Sequence, residues 1–175
     1  MERLYTNIIG TPVYEDSNMR PLTAIKDVIV DPDSGKIIAF VVNASKNSVI
    51  VPYDIISFGD GIHIHDHGCI VDGSEILRVV EVQKKNVRIF QNNVESTDGE
   101  YLGKVIDFSI DAATLSLHKI FVANVFLGLF RYKNRIIPAK NIVEILPNKI
   151  VVKDNFVKAE EDVRKVVVED MALSG

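Results

Sequence analysis

Short runs of apolar and β-branched residues, separated by turn residues, recur along the whole chain. They are rich in Val, Ile and Phe, a composition typical of β-strands. In the turn DPDSG, Asp31 and Pro32 suit the first two positions and Gly35 supplies a positive φ, which predicts an antiparallel hairpin. The runs predict strands over residues 25–30, 37–42, 49–51, 62–64, 105–110, 117–125, 135–137 and 150–152. This pattern predicts a mainly β fold, in which closure into small barrels removes exposed strand edges.

The pattern occurs twice. LTAIKDVIVD at 22–31 aligns with LGKVIDFSID at 102–111 at an offset of eighty, which places Asp27 on Asp107 and Asp31 on Asp111. VIVPYDIIS at 49–57 aligns with RIIPAKNIV at 135–143 at an offset of eighty-six, so the second copy carries six extra residues. A repeat near this length indicates a duplicated domain. The predicted organisation is a first domain at 1–70, a connecting segment at 71–86, a second domain at 87–154 and a C-terminal tail at 155–175.

Two segments outside the predicted strands stay ambiguous. In the connecting segment, Ser74 stands in N-cap position ahead of an apolar series, so the segment is either a short helix or a strand. In the tail, Val157, Val163, Val166 and Val167 give partial helical spacing, while the run of three valines at 166–168 favours a strand. Pro52 and Pro138 lack an amide donor and are predicted at a strand start or a bulge.

Composition narrows the classes of partner and compartment. The 175 residues carry 24 acidic against 20 basic groups, a net charge of −4, which argues against broad nucleic-acid binding because such binding needs many phosphate contacts. The single cysteine, Cys69, cannot form an internal disulfide and indicates a reducing, cytoplasmic compartment. No apolar run approaches the roughly 18 residues of a membrane span, and MERLYTNIIG lacks a signal-peptide pattern.

The repeated block resembles the PRC-barrel family, named for the cytoplasmic domain of the photosynthetic reaction centre H subunit and found in a ribosome-maturation factor. The resemblance covers about 8–66 and 88–154, and DGEYLGKVIDFSID carries the Gly103, Lys104 and Asp107 that the family pattern expects. Thr23 replaces that glycine in the first copy, so its turn must differ. The resemblance implies two tandem small antiparallel β-barrels with short helical turns, without catalytic residues or cofactors, acting through binding partners.

Candidate catalytic and metal-binding residues are few. His63, His65, His67 and Cys69 would share one face of a strand, and they could hold a metal if the strand bends. The favoured interpretation is that Ile62 and Ile64 face the core and the histidines face solvent. Asp27 and Asp107 recur in matching places, which favours a structural hydrogen-bonding role. The chain has no phosphate-binding glycine loop, nucleophile-plus-base motif or closely spaced carboxylate pair, so no enzymatic activity, metal or cofactor is predicted.

The candidate binding site lies where the six extra residues fall, in VFLGLFRYKNR at 125–135. An elongated hairpin or a short helix there would present apolar side chains beside basic ones, a combination that often marks a partner surface. Packing between the two barrels, or a dimer interface, is the alternative. The candidate partner-binding residues are Phe126, Leu127, Leu129, Phe130, Arg131, Lys133 and Arg135.

Three classes of partner remain open. A protein partner, which makes the chain an interaction or scaffold module, is the first. A ribosomal protein or RNA is the second, because Arg131, Lys133 and Arg135 alternate with Phe130 and Tyr132, although three charges give only weak RNA binding. A peripheral role at a membrane, in regulating electron transfer, is the third, and the absence of an anchor helix counts against it. A homo-oligomer is compatible with each class.

Overall fold

The structure, a computed structural model, describes residues 1–16, 18–43, 45–124 and 133–153, and describes the backbone alone at 124, 133 and 134. The described residues confirm the mainly β fold, with small antiparallel sheets and short helical turns. They divide into two compact units. The first contains residues 1–88 and 109–118, and the second contains 89–108 together with the described residues from Lys119 onward.

The first unit consists of short strands and two helices. These are β1 (Glu2–Leu4), α1 (Tyr5–Ile8), β2 (Pro12–Glu15), β3 (Pro21–Ala24), β4 (Asp27–Val30), β5 (Ile37–Asn43), β6 (Ser48–Ile50), β7 (Ile55–Phe58), β8 (Ile62–Ile64), β9 (Val71–Asp72) and α2 (Leu77–Lys84). One sheet has the order β3-β2-β8-β7, and another has the order β4-β5-β6-β9. Helix α2 packs on the second sheet through Val79, which contacts the cluster of Ala39, Val41 and Val49.

The hairpin of β4 and β5 forms as the DPDSG turn predicts. Gly35 has a φ of 70°, and the Asp31 amide donates to the Lys36 carbonyl at 2.8 Å. The strands pair from Asp27 opposite Val41 to Val30 opposite Ile37, with one register shift. The predicted antiparallel hairpin is therefore confirmed.

The second unit contains the remaining strands. These are β10 (Asn93–Ser96), β11 (Tyr101–Asp111), β12 (Ser116–Asn124), β13 (Lys133–Pro138), β14 (Ile142–Ile145) and β15 (Lys149–Val152), in the order β13-β12-β11-β10-β15-β14. The last residues of β11 and the first of β12 belong to the first unit, where residues 109–111 pair antiparallel with β1.

Each unit contains the same sequence of pairings. β2 pairs antiparallel with β3 and parallel with β8, and β8 pairs antiparallel with β7. In the same way, β10 pairs antiparallel with β11 and parallel with β15, and β15 pairs antiparallel with β14. A 3₁₀ turn precedes β7 at Pro52–Asp54 and precedes β14 at Ala139–Asn141. The two parallel contacts were not predicted, and the tandem duplication itself stays a prediction.

The connecting segment, which the sequence left as either a helix or a strand, forms a helix. A helix forms at Leu77–Lys84, and Ile76 rather than Ser74 is its N-cap residue. The expected Ser74 cap is wrong because Ser74 lies in a preceding 3₁₀ turn, where its amide donates to the Asp72 carboxylate at 2.8 Å.

Pro52 opens a 3₁₀ turn instead of a strand, and Pro138 ends β13. The tail from residue 154 lies outside the described residues.

The two copies differ at the glycine of the family pattern. A register shift leaves one extra residue in both copies, in β3 beside Val13 and in β11 beside Val94, but Gly103 of β11 has a φ of 133°. Thr23, in the matching place of β3, is not among the described residues with positive φ. The two bulges therefore match, and the expected difference is seen in the backbone conformation at this residue alone, since only glycine reaches such a φ at low cost.

We expect Gly103→Ala to destabilise the protein by about 1–2 kcal/mol, because alanine is strained at this φ. Urea denaturation measures the change. Thr23→Ala is the matched control and should change stability by less than about 1 kcal/mol, since its backbone needs no special φ. Equal effects of the two substitutions would contradict this explanation.

Candidate functional site

Strands β12 and β13 enclose the segment predicted to bind a partner. They pair antiparallel from Lys119 opposite Pro138 to Asn124 opposite Lys133. Residues 125–132 therefore connect the end of β12 to the start of β13. This pairing agrees with the hairpin alternative for the flanks of the segment. The predicted residues Phe126, Leu127, Leu129, Phe130 and Arg131 lie outside the described residues. The structure therefore places only Lys133 and Arg135 of the predicted set, both on β13.

The hairpin has two unlike faces. Ile120 and Ile137 lie opposite each other and are fully buried, whereas the next pair, Phe121 and Ile136, is only half-buried. The Lys119 ammonium lies 5.6 Å from the centre of the Phe121 ring. Directly opposed residues of an antiparallel pair share a face, so Phe121 and Ile136 form an apolar strip on the outer face, which we call the hairpin strip.

Arg135 does not belong to the hairpin strip. It lies opposite Val122, which is fully buried, so its side chain starts on the inner face and is half-buried. The sequence analysis predicted that Arg135 lies beside the apolar side chains and forms part of a charged rim around them. The alternation of strand β13 instead puts it on the face opposite Ile136.

The histidine run lies at the end of β8, and its four residues do not share one face. Ile62 and Ile64 are fully buried, as predicted, and His63 faces the other side of the sheet. The strand ends at Ile64, because Asp66 caps a 3₁₀ turn at His67–Cys69 by accepting from the Gly68 amide at 2.7 Å. Among the described residues, no group of three or more His, Cys, Asp or Glu side chains is arranged to hold a metal ion.

His63 instead packs against an aromatic ring that the sequence did not indicate. It lies opposite Tyr14 in the parallel pairing of β2 and β8, and the two ring centroids are 5.2 Å apart at 22°. A Cβ on Gly61 would lie 2.6 Å from the Tyr14 ring, so the glycine leaves room for this stack. The period-two alternation of β8 predicts which side His63 faces. It does not identify the strand beside it.

The repeated aspartates have matching local contacts. The Asp27 carboxylate accepts from the Val28 amide at 2.8 Å and from the Tyr5 hydroxyl at 2.9 Å. The Asp107 carboxylate accepts from the Phe108 amide at 2.8 Å. In each copy the carboxylate therefore binds the amide of the next residue, which confirms the predicted structural role.

The most buried carboxylate of the first unit belongs to Asp31. One of its oxygens accepts from the Ser34 hydroxyl at 2.6 Å and from Arg78 of α2 at 2.7 Å, while the other accepts from the Asp33 amide at 3.3 Å. Burial by itself would raise the pKa of Asp31, but the hydrogen bonds from Ser34 and Arg78 outweigh it and lower this pKa below its usual value. A further ion pair joins Lys85 to Asp33. These contacts fasten α2 to the β4–β5 turn.

Asp111 occupies the matching turn between β11 and β12. Its carboxylate accepts from the amides of Ala113 and Thr114 at 2.7 and 3.2 Å, and these bonds lower its pKa below the usual value. Leu115, with a φ of 46°, takes the place of Gly35. The two turns are therefore built alike, although only the first contains glycine.

Residues 1–78 match the model of the PRC-barrel domain family. No curated protein matches the chain.

The PRC-barrel match covers both sheets of the first unit and ends at Arg78, so the ion pair of Asp31 with Arg78 lies inside it. A PRC-barrel domain indicates, in general terms, a protein-interaction module. Helices that could span a membrane are absent from the described part of the chain. The closer copy of the motif, at 102–111, lies outside the match, and its assignment to the same family stays a prediction.

Proposed function

We propose that the protein is a non-catalytic interaction module built from tandem PRC-barrel domains, which binds a protein partner with the end of the β12–β13 hairpin. The observation that carries this proposal is the PRC-barrel match of residues 1–78, since the family acts generally through protein interactions. The shared order of strand pairings in the two units supports a second domain of the same kind.

The hairpin is the preferred binding element for a physical reason. The half-buried Phe121 and Ile136 lie on the strands that lead to residues 125–132, where the sequence continues with Phe126, Leu127, Leu129 and Phe130. An apolar surface that continues from a strand pair into its connecting segment is the kind of feature that marks protein interfaces. Basic residues in the same segment would favour an acidic rim on the partner.

The test is affinity capture from native lysate with the full chain. The variant Phe126→Asp, Phe130→Asp removes the two aromatic side chains, and Tyr53→Asp, at a residue that is 95% exposed in the first unit, is the matched control. We expect a specific protein to be retained by the native chain and by the control, but lost from the double variant. Loss of aromatic anchors at an interface costs about 2 kcal/mol or more, which is about a 30-fold loss of affinity.

Ribonuclease treatment and membrane removal separate the other classes of partner. Capture that ribonuclease abolishes would favour the RNA or ribosome-linked alternative, in which Arg131, Lys133 and Arg135 contact phosphates. Recovery only with membranes would favour the membrane-peripheral alternative. Equal capture by the native chain and a folded double variant would contradict the hairpin as the binding surface.

A further inference from the structure

Two turns of the first unit, between β4 and β5 and between β11 and β12, are joined by reciprocal hydrogen bonds. The Ile37 amide donates to the Leu115 carbonyl at 2.8 Å, and the Leu117 amide donates to the Gly35 carbonyl at 2.8 Å. The two donors are eighty residues apart in the chain, and so are the two acceptors. Each turn therefore gives the other turn the same bond that it receives.

This reciprocity indicates a local two-fold axis between Lys36 and Ser116, which lie opposite each other in an antiparallel bridge. Antiparallel pairing relates two segments by such an axis. A contact in which both sides contribute the same groups is isologous, as in a symmetric homodimer. The bonds join backbone groups, so the contact forms although a lysine in one turn faces a serine in the other.

Both turns adopt an unusual backbone conformation at the residue that accepts the bond. Its φ is positive in each turn, 70° at Gly35 and 46° at Leu115. Glycine reaches such angles at low cost, but leucine rarely does, and a strained residue persists where the surrounding structure holds it. The bond from the Ile37 amide to the Leu115 carbonyl is a contact of this kind. The donor residues Ile37 and Leu117 are both buried.

The segment that precedes each copy of the motif also reaches the turn of the other copy. β1 precedes the first copy and pairs with residues 109–111 beside the second turn. Helix α2 precedes the second copy and is fastened to the first turn by the ion pair of Arg78 with Asp31. This mutual exchange resembles that of domain-swapped subunits, although one segment is a strand and the other is a helix.

We propose that the β4–β5 turn is a self-pairing surface, whose partner is the same turn of a second PRC-barrel domain. In this chain residues 115–117 supply that partner, so the inference rests on the tandem organisation in the proposed function. Each turn offers one amide donor and one carbonyl acceptor on the same edge, two residues apart, and this set complements a copy of itself in antiparallel orientation. An isologous contact is closed, so it joins two domains and does not extend to a third.

Disulfide formation in the full chain tests the contact. In a protein with Cys69→Ser, which removes the free thiol, Lys36→Cys and Ser116→Cys place two thiols across the bridge. Opposed residues between two such hydrogen bonds have Cα atoms about 4.5 Å apart, which a disulfide can span. Lys46→Cys with Ser116→Cys is the matched control, because residue 46 follows the far end of β5, roughly 20 Å from position 36.

A graft of one turn onto the other tests self-pairing. Ala112 is kept, because its amide donates to the Met1 carbonyl. The second turn receives the residues of the first through Ala113→Asp, Thr114→Ser, Leu115→Gly and Leu117→Ile. In the protein with thiols at positions 36 and 116, the first turn then faces a copy of itself. Leu115→Gly alone is the second variant, in case the four changes together prevent folding.

We expect the thiols at positions 36 and 116 to form an intrachain bond at least about tenfold faster than those at 46 and 116, since contact governs the rate. The grafted protein and the Leu115→Gly protein should form it within about twofold of the rate with the native turn. A rate no higher than the control would overturn the contact. Loss of the bond in either folded variant would overturn self-pairing.

A disulfide that forms between chains instead of within one chain would also overturn the proposal, because a second copy would then be the partner. Mass spectrometry and non-reducing electrophoresis distinguish the two products. None of these variants changes the residues tested by capture on the β12–β13 hairpin. A failure here and a failure of the proposed partner-binding surface are therefore separate results.

Discussion

Replacing Phe40 by alanine is expected to lower the free energy of unfolding by about 3–5 kcal/mol, the cost of deleting a buried aromatic side chain. Phe40 is fully buried in β5 between Val28 and Ile50 of the neighbouring strands. Its ring meets Phe58 edge to face, with the centroids 5.7 Å apart. The substitution therefore removes apolar burial and an aromatic pair together, and it leaves a cavity that close-packed neighbours fill only in part.

Urea denaturation of the full chain measures this loss, with Tyr53→Ala as the control. Tyr53 is 95% exposed, so its truncation should change the free energy of unfolding by less than about 0.5 kcal/mol. A loss below about 1 kcal/mol for Phe40→Ala would be incompatible with the packing described for β5.

The second large effect is expected at Asp31. Asp31→Ala removes a carboxylate whose side chain is 4% exposed and which accepts hydrogen bonds from Ser34, Asp33 and Arg78. Removing one partner of a buried, hydrogen-bonded ion pair costs about 3–5 kcal/mol. Arg78 is 46% exposed and regains water when its partner is lost, so we expect a smaller cost of about 2–3 kcal/mol.

The contribution of Asp31 should depend on pH in one direction. The pKa of Asp31 is lowered in the folded protein, so the carboxylate binds a proton more tightly in the unfolded chain than in the folded one. Acid therefore favours unfolding. The stabilisation from the ionised carboxylate is therefore complete above the unfolded pKa, near 3.8, and is lost as the pH falls through the lower folded value.

Urea denaturation of the native chain and the Asp31→Ala protein between neutral and acidic pH measures this dependence. We expect a constant difference in stability at neutral pH that shrinks below the usual carboxyl pKa. Asp33→Ala is the matched control. Asp33 is 68% exposed, so loss of its ion pair with Lys85 should cost about 0.5 kcal/mol or less. A difference for Asp31 that grows in acid would contradict the assignment.

The strands that were predicted correctly are those with a continuous apolar pattern. β5 and β12 have long runs of β-branched and aromatic residues, and the turn before β5 contains both proline and glycine, so local signals agree. β2 and β3 were missed because each begins with proline, at Pro12 and Pro21, and neither has a clear alternation. The place of β2 is decided by pairing with β8, far along the chain, which no local pattern contains, and β3 pairs with β2.

The candidate site was predictable to a similar extent. The burial of Ile62 and Ile64 followed from strand alternation, but the end of β8 depends on the Asp66 cap, which removes His67 and Cys69 from the strand. The sequence pattern predicted only a turn role for Asp31, because its ion-pair partner Arg78 lies on α2 and approaches only through tertiary packing. Side-chain pairs between distant segments are the information that a single sequence lacks.

The first unit is discontinuous in sequence, and this has a consequence for its synthesis. β1 pairs with residues 109–111, and Ile37 donates to the Leu115 carbonyl at 2.8 Å. A nascent chain that has emerged only as far as Arg88 lacks these partners, so β1 presents an unpaired edge, which is a template for pairing with other chains. Domains ordinarily fold from the N-terminus as they are translated. Here the β11–β12 turn must be synthesised before the first unit can complete its folding.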